Sequence, residues 1–234
     1  MAENTPWILE AVQIPAGTAV LDGDLIIPST PSGTVVLAHG SDSSRHSAHN
    51  RHMARALNEA GFATLLMDLL TVEEEVVDVL TSHQRFDIPF LAERLIAATD
   101  WLAGHPQIGR LPLGHFGAST GAAVALLAAA RRTDRVETIV SRGGRPDLAG
   151  PALRAVRAPT LLIVGGNDPQ MLELNREAFA RLCCEKRLEV IPGASHLFEE
   201  PRALQTAAQL ARDWFRQHLV EASRDAAWWH DRKS

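Results

Sequence analysis

Ser119 sits in the run Gly117-Ala118-Ser119-Thr120-Gly121, with a glycine two places to either side. A serine hydroxyl becomes an effective nucleophile only when a nearby base takes its proton as the new bond forms. Residues 111–116 before it read as an apolar strand, and residues 122–130 after it are an unbroken apolar, alanine-rich run that reads as a helix. A serine on a sharp strand-to-helix turn has strained backbone angles and leaves room only for small residues two positions before and after it. Gly117 and Gly121 meet that demand. The helix that follows points its amino-terminal dipole at the serine, which favours the negative charge that develops in acyl transfer.

Two further residues complete a proton-moving set. Asp168, in Gly165-Gly166-Asn167-Asp168-Pro169, follows the expected strand 160–164, and His196 lies in the loop after the expected strand 187–191. His196 is the base for Ser119, and Asp168 is the carboxylate that fixes its tautomer and stabilises the imidazolium. Taken singly, Asp168 before a proline reads equally well as a helix cap, and His196 as an ordinary loop histidine. Taken together they stand in the chain order Ser, Asp, His, each beyond a strand, which is the order expected of one particular nucleophile-elbow architecture. Two backbone donors are needed for an oxyanion: the amide of Thr120, and one from His39-Gly40-Ser41-Asp42-Ser43-Ser44, for which Ser41 is the choice. Ser43 or Ser44 also suits a helix cap.

The elements that must hold these residues alternate along the chain. An opening hairpin is expected over 8–14 and 19–27, then strands at 34–38, 63–67, 111–116, 136–140, 160–164 and 187–191. Helical patterns fall at about 46–60, 89–103, 120–131, 170–182 and 201–219. This predicts an α/β fold: a mostly parallel, doubly wound sheet of about eight strands, with the antiparallel hairpin at its amino-terminal edge. Ligands in such sheets collect beyond the carboxyl ends of the strands. The connection after Val140 is too short for a separate lid, so an open site is expected. Residues 1–220 are read as one domain and 221–234, with Trp228 and Trp229, as a tail that is either loose or a partner-binding arm.

Composition narrows the partners. With 46% hydrophobic residues and a formal charge of −5, the chain can bury a sizeable core and presents no broad positive field for nucleic acid. Its longest apolar run is too short to cross a bilayer, and the first ten residues carry no export signal, so no membrane association and a cytoplasmic location are expected. The adjacent Cys183 and Cys184 suit packing in a reducing compartment. His46, His49 and His52 step by three along an expected helix, a spread of about 120° that fits one metal ion poorly, so no metal is expected. Glu73, Glu74 and Glu75 read as a solvated face. Asp68, Arg85 and Asp87 suit either the rim of a site or structural ion pairs. Arg142 and Arg145 follow the strand beside the serine strand and suit a clamp on a substrate carboxylate or phosphate.

With His39-Gly40, the 117–121 elbow, Asp168 and His196-Leu197-Phe198, the chain resembles the α/β-hydrolase superfamily over nearly its whole length. Its compact, lidless form resembles dienelactone-hydrolase-like proteins. The resemblance implies a serine or cysteine nucleophile, no cofactor, and hydrolysis of esters, lactones or related acyl compounds. Dienelactone hydrolases proper carry cysteine where this chain has Ser119, so the expectation is a serine esterase acting on small or medium esters or lactones through an acyl-enzyme. Thioesterase, amidase, acyltransferase or perhydrolase chemistry would use the same residues. A catalytically silent scaffold that binds partners is the alternative from outside enzymology. Oligomeric state is left open.

Overall fold

The structure, a computed structural model, describes residues 7–40 and 43–221. Strands β1 (Ile8–Ala16) and β2 (Ala19–Ile27) pair antiparallel around Gly17, whose φ of 65° suits the tight two-residue turn. The chain then alternates: β3 (Gly33–Ala38), α1 (Ala48–Glu59), β4 (Phe62–Met67), α2 (Val72–Thr81), α3 (Ile88–Ala103), β5 (Leu113–Ala118), α4 (Gly121–Arg131), β6 (Val136–Arg142), β7 (Thr160–Gly165), α5 (Pro169–Arg181), β8 (Lys186–Ile191) and α6 (Ala203–Phe215). The eight strands form one sheet in the order β1-β2-β4-β3-β5-β6-β7-β8, antiparallel at β1-β2 and β2-β4 and parallel elsewhere. This is the α/β-hydrolase fold.

Every residue of β3, β4, β5 and β7 is buried, which is why they read as continuous apolar runs rather than as alternating ones. Two cores result. On one face Val36, Ala38 and Leu65 pack with α3 and α4 through Leu95, Val124 and Leu126. On the other Val35, Leu37 and Phe116 pack with α1 and α6 through Met53, Leu57 and Phe215. Neighbouring residues of β3 divide between the two faces, the period of two expected of a strand.

The expected strands are all present, with shifted ends. β5 begins two residues later than read and runs to Ala118, so the sheet delivers the chain directly to Ser119. β6 likewise runs on to Arg142. One helix was not foreseen. The run of Glu73, Glu74 and Glu75 is the first turn of α2 rather than a merely solvated face: Thr71 Oγ1 accepts from the Glu74 amide at 3.3 Å, and Glu74 Oε2 accepts from the Thr71 amide at 2.8 Å. The reciprocal cap starts the helix and aligns acidic side chains with its dipole. Val72, Val76, Val79 and Leu80 of α2 face outward, so its apolar spacing does not point to the core.

Residues Pro146–Ala155, between β6 and β7, form 3-10 turns that pack on α4 and α5 and make no separate lid. Among the described residues no helix is long and apolar enough to cross a membrane. The 221–234 tail lies outside the described residues, apart from Glu221 at the end of the last helical turn.

Candidate active site

Ser119 has φ 52°, in the left-handed region that a side chain adopts only at a cost, at the turn from β5 into α4. What holds it there is close packing. A Cβ on Gly117 would come within 2.5 Å of Ala122 Cα, and one on Gly121 within 2.3 Å of the Ala38 carbonyl oxygen. The turn is further tied down by the Arg145 amide, which donates to the Ser119 carbonyl at 2.9 Å. Gly40, beyond β3, lies so close that a Cβ on it would sit 2.7 Å from Ser119 Cβ. The His39-Gly40 pair therefore has a steric meaning beyond loop flexibility.

Asp168 and His196 are brought together from two loops. His196 Nδ1 donates to Asp168 Oδ2 at 2.9 Å, with Asp168 largely buried and His196 partly exposed. Asp168 Oδ1 accepts from the Met171 amide at 3.2 Å and is the N-cap of α5. Capping and histidine-holding were set as alternatives in the sequence; the two carboxylate oxygens do both. Asn167 binds the two loops together. Its amide donates to the Ala194 carbonyl and its Nδ2 to the Gly193 carbonyl, both at 2.9 Å, while the Gly166 amide reaches the Ile191 carbonyl at 2.8 Å. An asparagine before Asp-Pro was available to sequence reading as a loop-tying group and was not singled out. Phe198, buried with φ 60°, turns the chain back after His196, and no sequence signal marks a phenylalanine for that role.

Below Ser119, His39 Nε2 lies 3.1 Å from Asp68 Oδ1 and its Nδ1 lies 2.9 Å from the Gly40 carbonyl. Asp68 also accepts from the Arg45 amide at 2.9 Å and pairs with the Arg45 guanidinium. Burial alone would raise the Asp68 pKa, yet these partners outweigh it and hold the carboxyl down at about 2. Asp68 is thus an anchor for the loop after β3. Arg85 is paired with the buried Asp78 at 2.6 Å, and Asp87 caps α3.

Two cavities flank Ser119. One, of about 450 Å³, lies toward α2 and α3 and is lined by Leu69, Leu70, Val79 and Leu91 together with His39 and Thr120. The other, of about 400 Å³, is lined by Ser119, His196, Arg142, His49, Ser47 and Glu199 among others. Thr120 stands directly after Ser119, at the amino end of α4. Ser41 lies outside the described residues. The two arginines part company. Arg142 lines the second cavity, whereas the Arg145 guanidinium grips Asp147 through two bonds of 2.9 and 2.8 Å. A carboxylate two residues away in its own loop thus engages Arg145, which does not line the second cavity beside Arg142. His46 pairs with Arg51 and His49 turns to the cavity; among the described residues no three His, Cys, Asp or Glu side chains cluster as metal ligands.

A serine elbow after the fifth strand, with an aspartate–histidine pair beyond the seventh and eighth, narrows the family, and residues 21–223 match the model of the dienelactone hydrolase family. The chain belongs to that family. A dienelactone hydrolase structure from Anabaena variabilis ATCC 29413 is 54% identical, covers 91% of this chain and 99% of its own, and superposes with a TM-score of 0.89. Est1E from Butyrivibrio proteoclasticus shares the fold at 15% identity, with a TM-score of 0.74 over 88% of this chain and 98% of its own. A curated relative from two strains of Mycobacterium tuberculosis, CDC 1551 / Oshkosh and ATCC 25618 / H37Rv, is 55% identical over 218 residues, 93% of this chain, and is provisionally named a phosphoribosyl transferase. This dienelactone hydrolase family chain spans 48% of that relative's length.

Proposed function

We propose that the chain hydrolyses carboxylic esters or lactones of small to medium size through an acyl-enzyme on Ser119. The observation that carries this is the strained Ser119 backbone at the elbow, in one cavity with a His196 whose Nδ1 is held by Asp168. With Nδ1 engaged, Nε2 is the nitrogen that serves the serine. Ser119 Oγ attacks the carbonyl carbon as His196 Nε2 takes its proton, and the carbonyl oxygen becomes an oxyanion stabilised by the Thr120 amide and the amino end of α4. Collapse of that intermediate breaks the carbon–oxygen bond to the leaving alcohol, which takes the proton from His196. Water then attacks the acyl carbon, giving its proton to His196, and Ser119 leaves with that proton restored to its oxygen. In a lactone the leaving hydroxyl stays on the acyl chain, so one ring-opened hydroxy acid is the product. No step calls for a metal or cofactor, and a small-molecule substrate fits cavities of a few hundred Å³.

The transferase name belongs to relatives of which this chain matches about half, and the groups gathered around Ser119 favour acyl chemistry for the matched half. Intact-mass labelling with a fluorophosphonate tests the proposal. One adduct is expected on the wild-type chain and none on Ser119→Ala, with kcat/KM for p-nitrophenyl acetate falling about a thousandfold or more in that variant. A folded wild-type protein that takes no label and turns over no ester would sink the proposal in favour of a binding scaffold.

A further inference from the structure

The second cavity beside Ser119 contains a cation with no counter-ion among the described residues. Arg142 is 9% exposed, and its Nε and Nη1 are buried without a hydrogen-bond partner. Its guanidinium lies 5.3 Å from the centre of the Phe198 ring, a contact that compensates only part of the lost hydration of a charge. Desolvation pulls the Arg142 pKa down to about 10, which still leaves it charged at neutral pH. Arg142 and Ala118 are paired neighbours on β6 and β5, one residue from the nucleophile. The amino end of α1 forms another wall of the same cavity: Ser47 is its N-cap and His49 stands in its first turn. A helix amino terminus favours negative charge. Among the described residues Glu199 is the one carboxylate in the lining, and it is exposed and forms no ion pair with Arg142. The cavity on the other side of Ser119 shares Ser47 and carries Glu75 and an Arg85 already paired with Asp78, and Leu69, Leu70, Val79 and Leu91 give it an apolar wall.

We infer that Arg142 and the amino end of α1 form an anion subsite, which holds a carboxylate or phosphate on one arm of the substrate while the other arm lies against the leucine and valine wall of the first cavity. This rests on the hydrolase reading, and it assigns a polarity to the substrate: one arm apolar, the other ending in an anionic oxygen group. The guanidinium suits either anion as a charged N–H donor.

Binding and turnover test it separately. Inorganic phosphate and succinate are titrated by calorimetry into Ser119→Ala, and at least one is expected to bind. Its affinity should fall about tenfold or more in Ser119→Ala/Arg142→Met and partly return in Ser119→Ala/Arg142→Lys, the scale of one charge-assisted contact. Phosphate binding alone assigns a phosphoryl arm, and succinate binding alone a carboxylate arm. In the active protein, the ratio of kcat/KM for p-nitrophenyl hydrogen succinate over p-nitrophenyl acetate should fall about tenfold in Arg142→Met. If that variant fails to fold, Arg142→Lys carries the comparison, since it keeps the charge and loses the fork. Anion binding that ignores residue 142, or binding of neither anion, overturns the subsite even if ester turnover persists. Loss of all turnover with Arg142-dependent anion binding intact overturns the hydrolase reading and leaves the subsite standing.

Discussion

Arg94 and Arg142 are the two most deeply buried arginines among the described residues, 6% and 9% exposed, and each guanidinium lies against a phenylalanine ring, Phe90 at 4.4 Å and Phe198 at 5.3 Å. Their other partners differ. Arg94 places Nη1 and Nη2 on the two carboxylate oxygens of Glu74, each at 2.6 Å, and gives a third bond to the Leu69 carbonyl at 3.1 Å. Arg142 has no such partner among the described residues and opens on the cavity that holds Ser119. A buried charge that fastens α2 to α3 is matched by the fold itself, whereas one left unmatched beside Ser119 suits a partner that arrives from outside. The two arginines separate what holds the structure from what the structure can hold.

The largest effect that would sharpen this contrast is expected at Arg94. Its replacement by methionine keeps the apolar stem but strands the Glu74 carboxylate, which is three-quarters buried, and the Leu69 carbonyl. Removing one partner of a buried pair costs about 3 kcal/mol at the lower end of such losses, so the urea unfolding midpoint should drop clearly with an unchanged slope. A loss under about 1 kcal/mol would mean that Arg94 is as dispensable to the fold as an exposed arginine.

The sequence made the sheet legible because buried parallel strands leave continuous apolar runs, and it made Ser119, Asp168 and His196 legible because strand ends carry few residue types able to move protons. The rest was hidden for physical reasons. Helix α2 turns Val76, Val79 and Leu80 to solvent, so its apolar residues mark no core-facing stripe; Thr71 and Glu74, spaced as a capping box, were the usable signal. Arg142 and Arg145 looked alike in one loop until β6 proved to extend to 142. Thr138 bonds to Trp214 on the α6 face and Val140 packs there, so a period of two carries Arg142 to the same face and into the cavity. Arg145 lies beyond the strand, free of that register, and turns to Asp147.

A third arginine supplies the intermediate case and a pH dependence. Arg45 pairs with Asp68, whose carboxyl His39 and Arg45 hold at about 2 against an ordinary value of 3.8 despite its burial. A carboxylate with a lowered folded pKa contributes stability that is complete above pH 3.8 and is lost as pH falls through that value to 2. The shift corresponds to about 2 kcal/mol. Urea titrations at pH 5 and pH 2 should therefore show the wild-type chain losing about 2 kcal/mol more than Asp68→Asn. Parallel losses in the two proteins would show that Asp68 contributes nothing specific to acid stability.

The smallest effect is expected at Arg142, and it bears most directly on the contrast. Arg142→Met removes a buried charge whose loss strands no carboxylate and no backbone carbonyl, and it leaves an apolar stem against Phe198. Such a change should leave stability within about 1 kcal/mol of wild type, or raise it slightly, in the absence of any anion. Adding phosphate or succinate should then raise the melting temperature of the wild-type chain and not that of the variant, because a ligand stabilises only a folded state that binds it. A fall of about 3 kcal/mol in Arg142→Met without anion would place Arg142 beside Arg94 as a structural cation. The unmatched charge would then have an internal partner, and the case for a ligand at that cavity would fall with it.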